Sequence, residues 1–468
     1  MRKLLLVLII VCLYRMAIGA EPVGRQRAQQ IAAQFLSKIS ISHRAPSASE
    51  MQAEAVFNEK NGMGMPYLYV VHASEDKGFV IVSGDDRFAE VLGYSDSGSF
   101  DENLLPDNMK AWLQGYIEEM KELDARGYAP MMTSRRAATS WPVIKPMTTT
   151  KWFQGAPYND LLPTDEVIGH YLAGCMTIAT AQLVNYWAQK TGKPAKTMKP
   201  VPAYTTETLK IAIEELPVTE FDWTKMRNAY DETSVEADKA EVAKLIKYCA
   251  YANQSDFTPL VTGGRSLTIP ETLIEYFGFD KTANLQLHEL YSHDDWTAMI
   301  YNELKNQRPV IYGASTTGIS TAGHAFIIDG YDGDEMFHIN FGWGGKSDGY
   351  YKLSVMDYHN KDNKDAPVSP SSFTTGQAAV FGAQIGVSTP AEMLFSTLTW
   401  GVMVTDNTVT ANYTNLMGML NTFEIGLAYL DENGTLETIV TREEEIPADF
   451  VFKGISCTVQ PTDKAQGT

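Results

Sequence analysis

Cysteine is scarce in this sequence, and its scarcity limits what the protein can be. The 468 residues contain four cysteines, too few for a domain held together by a disulfide framework. The cysteines and the eight histidines also lack the short spacings of a zinc site, so we predict no metal and no other cofactor. Cys12 lies in a leader segment, and the remaining three, Cys175, Cys249 and Cys457, cannot all pair with one another. At least one free thiol is therefore predicted.

Positive charge is also in short supply. Lysine and arginine together number 38 against 57 acidic residues, which gives a formal net charge of −19. Such a chain is repelled on average by a nucleic acid or by an anionic membrane surface. We therefore expect no nucleic-acid partner.

Long apolar runs are missing as well. The first twenty residues, "MRKLLLVLIIVCLYRMAIGA", have a basic start, an apolar run and small residues at the end, which is typical of a secretory signal peptide. This run is too short for a permanent membrane span, and no later stretch reaches about 18 apolar residues. We expect residues 1–20 to be removed from an exported protein without a stable membrane span, located outside the cell, in a periplasm or at a cell surface.

The rest of the chain divides into three zones. Residues 21–138 combine helical and alternating apolar patterns, which predicts a small α+β unit, and they end near "MMTSRRAATSWPVIKP", an exposed linker open to proteolysis. Residues 139–386 carry the motifs discussed below. Residues 387–468 alternate strand-like runs with Asp-Asn and Asn-Gly turns, which predicts a β-sandwich-like accessory module. We expect an incomplete module here, because the chain stops soon after Cys457 without a clear closing strand.

Cys175 lies at the predicted start of a helix in "AGCMTIATAQLVNYWAQKTG". Apolar residues recur there at helical spacing, and the pattern ends before Gly192. The free N–H groups and the positive dipole end of a helix start favour the thiolate form of a cysteine. A buried cysteine that packs as a small apolar side chain is the other interpretation.

His324 begins "HAFIIDGYDGDEMFHIN", which reads as two strands joined by a turn. Asn340 ends the returning strand, where cross-strand neighbours come close. A cysteine nucleophile needs a base and a group that orients this base. Cys175, His324 and Asn340 follow one another in this order, and the first interval of about 150 residues matches that of papain-like enzymes. Asp329 should point to the face opposite His324, so we expect a structural role for it.

Four strings together closely resemble the streptopain family of secreted papain-like cysteine peptidases with an N-terminal propeptide. They are "KGFVIVSGDDRFAEVLGY", "KWFQGAPYN", "AGCMTIATAQLVNYW" and "GHAFIIDGYDGDEMFHINFGWGGKSDGYYKLS". The resemblance extends from about Val23 to about Gly386. It implies an α+β fold, in which a papain-like domain with a helical part and an antiparallel β-sheet part follows an α+β prodomain.

The resemblance also implies roles for single residues. Cys175 becomes the nucleophile, His324 its base, and Gln154 the oxyanion-hole glutamine that acts with the backbone N–H of Cys175. Asn340 and Trp343 match the asparagine and the second tryptophan of the family string N-W-G-W-G-G. Phe341 replaces the first tryptophan, which keeps an apolar ring but loses the indole N–H. Whether Asn340 or the aromatic residues orient the histidine stays open.

Substrate contacts are implied at two glycines. Gly323 would contribute backbone to the substrate cleft, and Gly263 lies in "TPLVTGGRS", which matches a family loop that borders the cleft. Family members favour an apolar side chain two residues before the scissile bond, and we expect the same preference here.

The resemblance makes residues 21–138 a propeptide, with residues 139–386 as the catalytic domain. We therefore expect a secreted cysteine endopeptidase made as a zymogen, which hydrolyses polypeptide substrates through a thioester and is inhibited by its own propeptide. The activating cut should fall between Arg135 and Thr150, made either by the enzyme itself or by a trypsin-like partner. Two alternatives are a transglutaminase-like acyl transferase and a catalytically inactive papain-like binding protein or inhibitor.

Overall fold

The structure is a computed structural model of the chain. It describes residues 23–39, 47–62, 64–72, 78–105, 107–125, 141–264, 268–314, 324–354, 377–389, 391, 397–405, 408–430, 435–447 and 453–458. The predicted signal peptide, the paired arginines at 135 and 136, and Gly323 lie outside the described residues. Within the described ranges, none of the helices has the length and apolar character needed to cross a membrane.

The described part of the N-terminal unit, residues 23–125, contains two helices and four strands. They are α1 (Arg25–Ile39), β1 (Gln52–Ala55), β2 (Leu68–His72), β3 (Phe79–Ser83), β4 (Val91–Ser95) and α2 (Asp107–Ala125), with 3₁₀ turns at Ala48–Glu50 and Glu102–Leu104. Apolar residues at helical spacing give α2 one apolar face, and this face is buried. Its members are Met109, Trp112, Leu113, Tyr116, Ile117 and Met120.

The central unit, residues 141–389, has a helical part followed by a strand-rich part. The helical part contains β5 (Thr164–Asp165), β6 (Gly169–His170), α3 (Cys175–Thr191), β7 (Tyr204–Thr205), β8 (Ala212–Ile213), a 3₁₀ turn (Trp223–Lys225), α4 (Glu236–Ala252), β9 (Asp256–Phe257), β10 (Thr262–Gly263) and α5 (Thr268–Glu271), which continues into a π-helical turn (Thr272–Tyr276). The strand-rich part contains β11 (Asn284–Leu287), a 3₁₀ turn (His288–Leu290), α6 (His293–Lys305), β12 (Val310–Ala314), β13 (His324–Tyr331), β14 (Phe337–Asn340), β15 (Gly349–Tyr351) and β16 (Gln377–Phe381). The predicted helix from Cys175 to Gly192 and the predicted strands after His324 are confirmed.

One antiparallel sheet runs through both units. In the described part of the chain it has ten strands in the order β1-β2-β3-β4-β15-β14-β13-β12-β16-β11. The junction is the pairing of Tyr94 with Tyr350 and of Gly93 with Tyr351. The N-terminal unit is therefore joined to the edge of the central sheet by strand pairing.

The two faces of β13 belong to different hydrophobic clusters, because successive strand side chains point to opposite faces. Ala325 and Ile327 pack in a cluster with α3 and α4. Phe326 and Ile328 pack in a second cluster with α6 and with α2 of the N-terminal unit. The N-terminal unit therefore shares a core with the central unit.

The C-terminal module, residues 397–458, is built from strands. They are β17 (Thr397–Thr405), β18 (Thr408–Asn415), β19 (Asn421–Leu430), β20 (Leu436–Ile446) and β21 (Lys453–Thr458). In the described residues they form a three-stranded sheet, β17-β18-β21, and a two-stranded sheet, β19-β20. The β-rich character of this module agrees with the expectation from its turns.

Candidate active site

Cys175 is the first residue of α3, and its side chain is half-buried. Gly174 before it has φ of 84°, a left-handed conformation that glycine accepts readily. A Cβ at this position would lie 2.6 Å from the main-chain oxygen of Thr262, so β10 can approach only a glycine this closely. The helix start that should favour a thiolate is thus held against β10.

Cys249 has the opposite environment. It is fully buried in α4, and burial raises the pKa of its thiol well above the ordinary value. A thiol that stays protonated is a poor nucleophile. Of the two cysteines whose side chains the structure describes, Cys175 is therefore the candidate nucleophile.

His324 is the first residue of β13, and it is half-buried. The backbone N–H of Ala325, the next residue, donates a hydrogen bond to Sγ of Cys175 at 3.3 Å. The start of α3 and the start of β13 therefore meet at the thiol. The structure places the predicted nucleophile beside the strand position that carries the predicted base.

Gln154 lies in a buried loop next to the nucleophile. Its main-chain oxygen accepts a hydrogen bond from the N–H of Ala173 at 2.9 Å, two residues before Cys175. The ring of Phe153 meets the ring of Trp343 edge-on at 5.4 Å between centroids. Trp343, far from Gln154 in the sequence, is thus brought to the loop that carries Gln154.

Asn340 is buried at the end of β14, where it pairs with Ile327 of β13. Since paired residues share a face, its side chain points towards α3 rather than to the face of Phe326. Its Nδ2 donates to the main-chain oxygen of Thr150 at 2.8 Å and to Oε1 of Gln182 at 3.2 Å. Its Oδ1 accepts from the N–H of Gly342 at 3.0 Å. Among the described residues, His324 is not a hydrogen-bond partner of this amide.

Asp329 is fully buried and has a structural role in the described contacts. Its Oδ2 accepts from the N–H and from Oγ1 of Thr148, both at 2.6 Å, and its Oδ1 lies 2.6 Å from Nδ1 of His338. Burial alone would lower the pKa of His338, but the charge and hydrogen bond of Asp329, together with the charges of Asp348 and Asp96, outweigh burial and raise this pKa. The pair therefore ties β13 to β14 and to the segment around Thr148.

The two predicted cleft glycines differ in what the structure describes. Gly263 pairs with Asp256 in the hairpin of β9 and β10, and a Cβ there would meet open space. This hairpin is the one that contacts Gly174, so Gly263 lies close to the nucleophile. Gly323 falls outside the described residues.

The N-terminal unit reaches the same site from the opposite face. Nδ2 of Asn108, at the start of α2, donates to the main-chain oxygen of Phe341 at 2.7 Å. The ring of Trp112 meets that of Phe326 edge-on at 5.4 Å between centroids. Phe326 lies two residues after His324 and so on the same face of β13. The N-terminal unit covers the face of the strand that carries the predicted base.

Several residues of this site were not predicted from the sequence motifs. Gln182 is a buried polar residue on α3, two turns after Cys175, and such a residue in an apolar pattern indicates a buried partner. Thr148 and Asn108 lie outside every recognised string. Their partners are set by long-range packing, which the local pattern does not contain.

The chain matches two family models. Residues 152–351 match the peptidase C10 family, and residues 20–120 match the Spi protease inhibitor family. Streptopain from Streptococcus pyogenes is 31% identical over 360 residues, which cover 71% of this chain and 85% of streptopain. The thiol protease/hemagglutinin PrtT from Porphyromonas gingivalis is 28% identical over 391 residues, which cover 81% of this chain and 43% of that protein.

A solved structure agrees with these matches. A fragment of prointerpain A from Prevotella intermedia superposes with a TM-score of 0.57 at 27% identity, and the match covers 72% of this chain and all of the fragment. These similarities favour the peptidase over the acyl transferase and the inactive binding protein. The chain belongs to the streptopain family, peptidase C10, and is a papain-like cysteine endopeptidase made as a zymogen with an N-terminal propeptide.

Proposed function

We propose that Cys175 attacks the substrate carbonyl carbon as a thiolate, while His324 holds the proton as an imidazolium. His324 then donates this proton to the leaving amine, and a thioester to Cys175 remains. Water, deprotonated by His324, hydrolyses the thioester and releases the thiolate. The side-chain amide of Gln154 and the backbone N–H of Cys175 donate hydrogen bonds to the oxyanion in both halves. The observation that carries this proposal is the 3.3 Å hydrogen bond from Ala325 N–H to Sγ of Cys175.

Asn340 and Trp343 complete the proposed site by positioning other groups. Asn340 holds β14 against α3 through Gln182 and thereby supports the neighbouring strand β13. Trp343 packs on Phe153 and covers the loop of Gln154. Gly323 and Gly263 contribute backbone to the cleft. Leu260 and Val261, 89% and 49% exposed beside Gly263, support a preference for apolar substrate side chains.

The domain boundaries are part of the same proposal. Residues 1–20 act as an export signal for a secreted, periplasmic or cell-surface enzyme, residues 21–138 as the propeptide, 139–386 as the catalytic domain and 387–468 as an accessory module. Trp141 stacks on Tyr301 at 4.5 Å, and Ile144 exchanges two backbone hydrogen bonds with Tyr331. Since the chain is attached to the catalytic domain from Trp141 onwards, the activating cut falls before this residue. The N-terminal sequence of the mature enzyme tests the boundary.

The mechanism is tested with an epoxide-type thiol-protease inhibitor on the full-length protein under reducing conditions. We expect one adduct on Cys175, found by intact mass and peptide mapping, together with loss of casein hydrolysis. Cys175→Ala should give no adduct and no hydrolysis, and it should retain its propeptide if maturation is autocatalytic. Cys249→Ala is the matched control and should still react at Cys175. An adduct on Cys249, or hydrolysis by Cys175→Ala, would refute the assignment.

A further inference from the structure

The loop between β18 and β19 of the C-terminal module extends the central sheet. The N–H of Leu285, in β11, donates to the main-chain oxygen of Leu416 at 2.9 Å, and Met417 pairs antiparallel with Asn284. Leu416 and Met417 are only 2% and 1% exposed. We call residues 416–418 the edge segment. It occupies the outer side of β11, at the end of the sheet opposite to β1.

The edge segment also lies directly on α5. A Cβ at Gly418 would be 2.6 Å from the carbonyl carbon of Pro270 and 2.8 Å from the nitrogen of Glu271, so the two backbones are in contact. Leu416 belongs to the same hydrophobic cluster as Ile269 and Leu273. The edge segment is thus wedged between β11 and α5.

Hydrogen bonds within the C-terminal module fix the conformation of the edge segment. Nδ2 of the buried Asn415 donates to the main-chain oxygens of Met419 at 2.8 Å and of Ile446, in β20, at 2.9 Å. Oδ1 of Asn415 accepts from the N–H of Met417 at 2.9 Å. A buried amide with both ends satisfied holds a loop in one conformation. The module therefore presents a rigid loop to the catalytic domain.

Contacts continue from α5 to the nucleophile. Oγ1 of Thr268, the first residue of α5, donates to the main-chain oxygen of Asn253 at 3.2 Å. Nδ2 of Asn253 donates to Oγ1 of Thr180, in α3, at 3.1 Å. A Cβ at Gly264 would collide with the side chain of Met176, the residue after Cys175. The start of α5 is thus linked to α3 through Asn253, and Gly264, which follows the hairpin of β9 and β10, contacts α3 directly.

We propose that the edge segment of the C-terminal module positions the substrate-binding hairpin of β9 and β10, with Leu416 as its principal positioning residue. The inference rests on the proposed function, in which Gly263 of this hairpin borders the cleft. When the packing of the edge segment is lost, α5 can shift. The hairpin of β9 and β10, which lies between α4 and α5 in the sequence, then loses one of its supports. Substrate binding should weaken, while the chemistry at Cys175 stays the same.

The test compares two leucines four positions apart. Leu416→Ala removes the buried side chain, and Leu420→Ala removes one that is 53% exposed in the same loop. Each variant is expressed as the full chain, allowed to mature, and titrated with the epoxide inhibitor to count active sites. We expect KM for a peptide substrate to rise about three- to thirty-fold in Leu416→Ala, with kcat per titrated site unchanged. Leu420→Ala should match the wild type, and Leu416→Met should restore most of the affinity.

The outcomes separate this inference from the proposed function. If the wild type takes up no inhibitor at Cys175, the proposed function is wrong. If Leu416→Ala titrates fully and its KM equals that of Leu420→Ala, the positioning role alone is wrong. Intact mass that shows loss of the module from the active enzyme overturns it too. If Leu416→Ala does not mature, hydrogen exchange of residues 258–264 in a Cys175→Ala background decides, because the inference requires faster exchange with Leu416→Ala than with Leu420→Ala.

Discussion

Raising the pH from about 5 to about 8 should weaken the hold of the propeptide on the catalytic domain, because two carboxyl groups at their junction ionise in this range. Asp348 directly precedes β15, and its main-chain oxygen accepts from Oγ of Ser95, in β4, at 2.7 Å. Burial raises the pKa of the Asp348 carboxyl to about 7. Asp332 lies against the phenol of Tyr94, and burial raises its pKa to about 6.

Burial outweighs the mixed effects that neighbouring charges have on the pKa values of these two carboxyl groups. The charged groups that influence Asp348 are His338, Asp329 and Lys151, and those that influence Asp332 are Asp334 and Lys352. Tyr94 stacks on Tyr350 at 5.2 Å, and Tyr350 meets His338 at 5.1 Å, so aromatic rings shield the cluster. As the pH rises through its raised pKa, His338 loses its positive charge while the carboxyl groups gain negative charge. The junction becomes more negative.

The magnitude follows from linkage. An ordinary aspartate has a pKa of about 3.9, and a hydrated carboxyl returns towards this value after the propeptide leaves. A carboxyl group whose pKa is raised in the complex does not weaken propeptide binding at a pH below the pKa of the free state. Between this pKa and the raised pKa, the dissociation constant of the propeptide grows about tenfold per pH unit. Between about pH 5 and pH 8, Asp332 therefore weakens the association by up to about tenfold and Asp348 by up to about a hundredfold.

The assay uses the Cys175→Ala precursor, nicked with trypsin at the paired arginines. Size-exclusion chromatography then measures how much propeptide stays bound. We expect retention at about pH 5 and a dissociation constant at least about tenfold higher at about pH 8. Asp348→Asn should flatten this dependence, whereas the exposed Asp160→Asn should not. Equal retention at both pH values, or tighter binding at the higher one, would refute the reasoning.

Three further changes have separate readouts. A Cβ at Gly349 would collide with the main-chain oxygen of Tyr94. Gly349→Ala should therefore release the propeptide faster in a maturation time course and leave kcat/KM of the mature enzyme unchanged. An unchanged time course would contradict this prediction. Gln154→Ala should lower kcat by about a hundred- to a thousandfold with little change in KM, and a KM effect alone would argue against an oxyanion role. Cys249→Ala should lower the melting temperature by several degrees through its buried position while active-site titration stays complete, and lost titration would contradict an inert thiol.

Local patterns predicted the elements that carry the site. The helix start at Cys175, the strand start at His324 and the apolar face of α2 all appear where their periodicity indicates. Each depends on neighbours in the sequence, such as Gly192 at the end of α3. The family strings added the proposed roles of Gln154 and Trp343, which periodicity alone does not contain.

Long-range pairing could not be predicted in the same way. Asn340 pairs with Ile327, and the two-residue period of a strand then directs its amide to α3. A shift of one residue in the register would reverse this face, and the turn sequence does not define the register. The pairing of Tyr94 with Tyr350 likewise joins segments far apart in the chain. The sequence pattern of each strand does not indicate which strand it pairs with.

Both edge strands of the catalytic domain's sheet, β11 and β15, are paired with other segments, but only one of these pairings persists after maturation. The edge segment of the C-terminal module covers β11, whereas β4 covers β15 only until the propeptide is removed. An exposed strand edge invites pairing with other chains, and short length or a nearby charge prevents it. β15 has three residues and follows directly on Asp348. Once hydrated, Asp348 is ionised near neutral pH, so the same carboxyl group that loosens the junction also protects the edge that the release exposes.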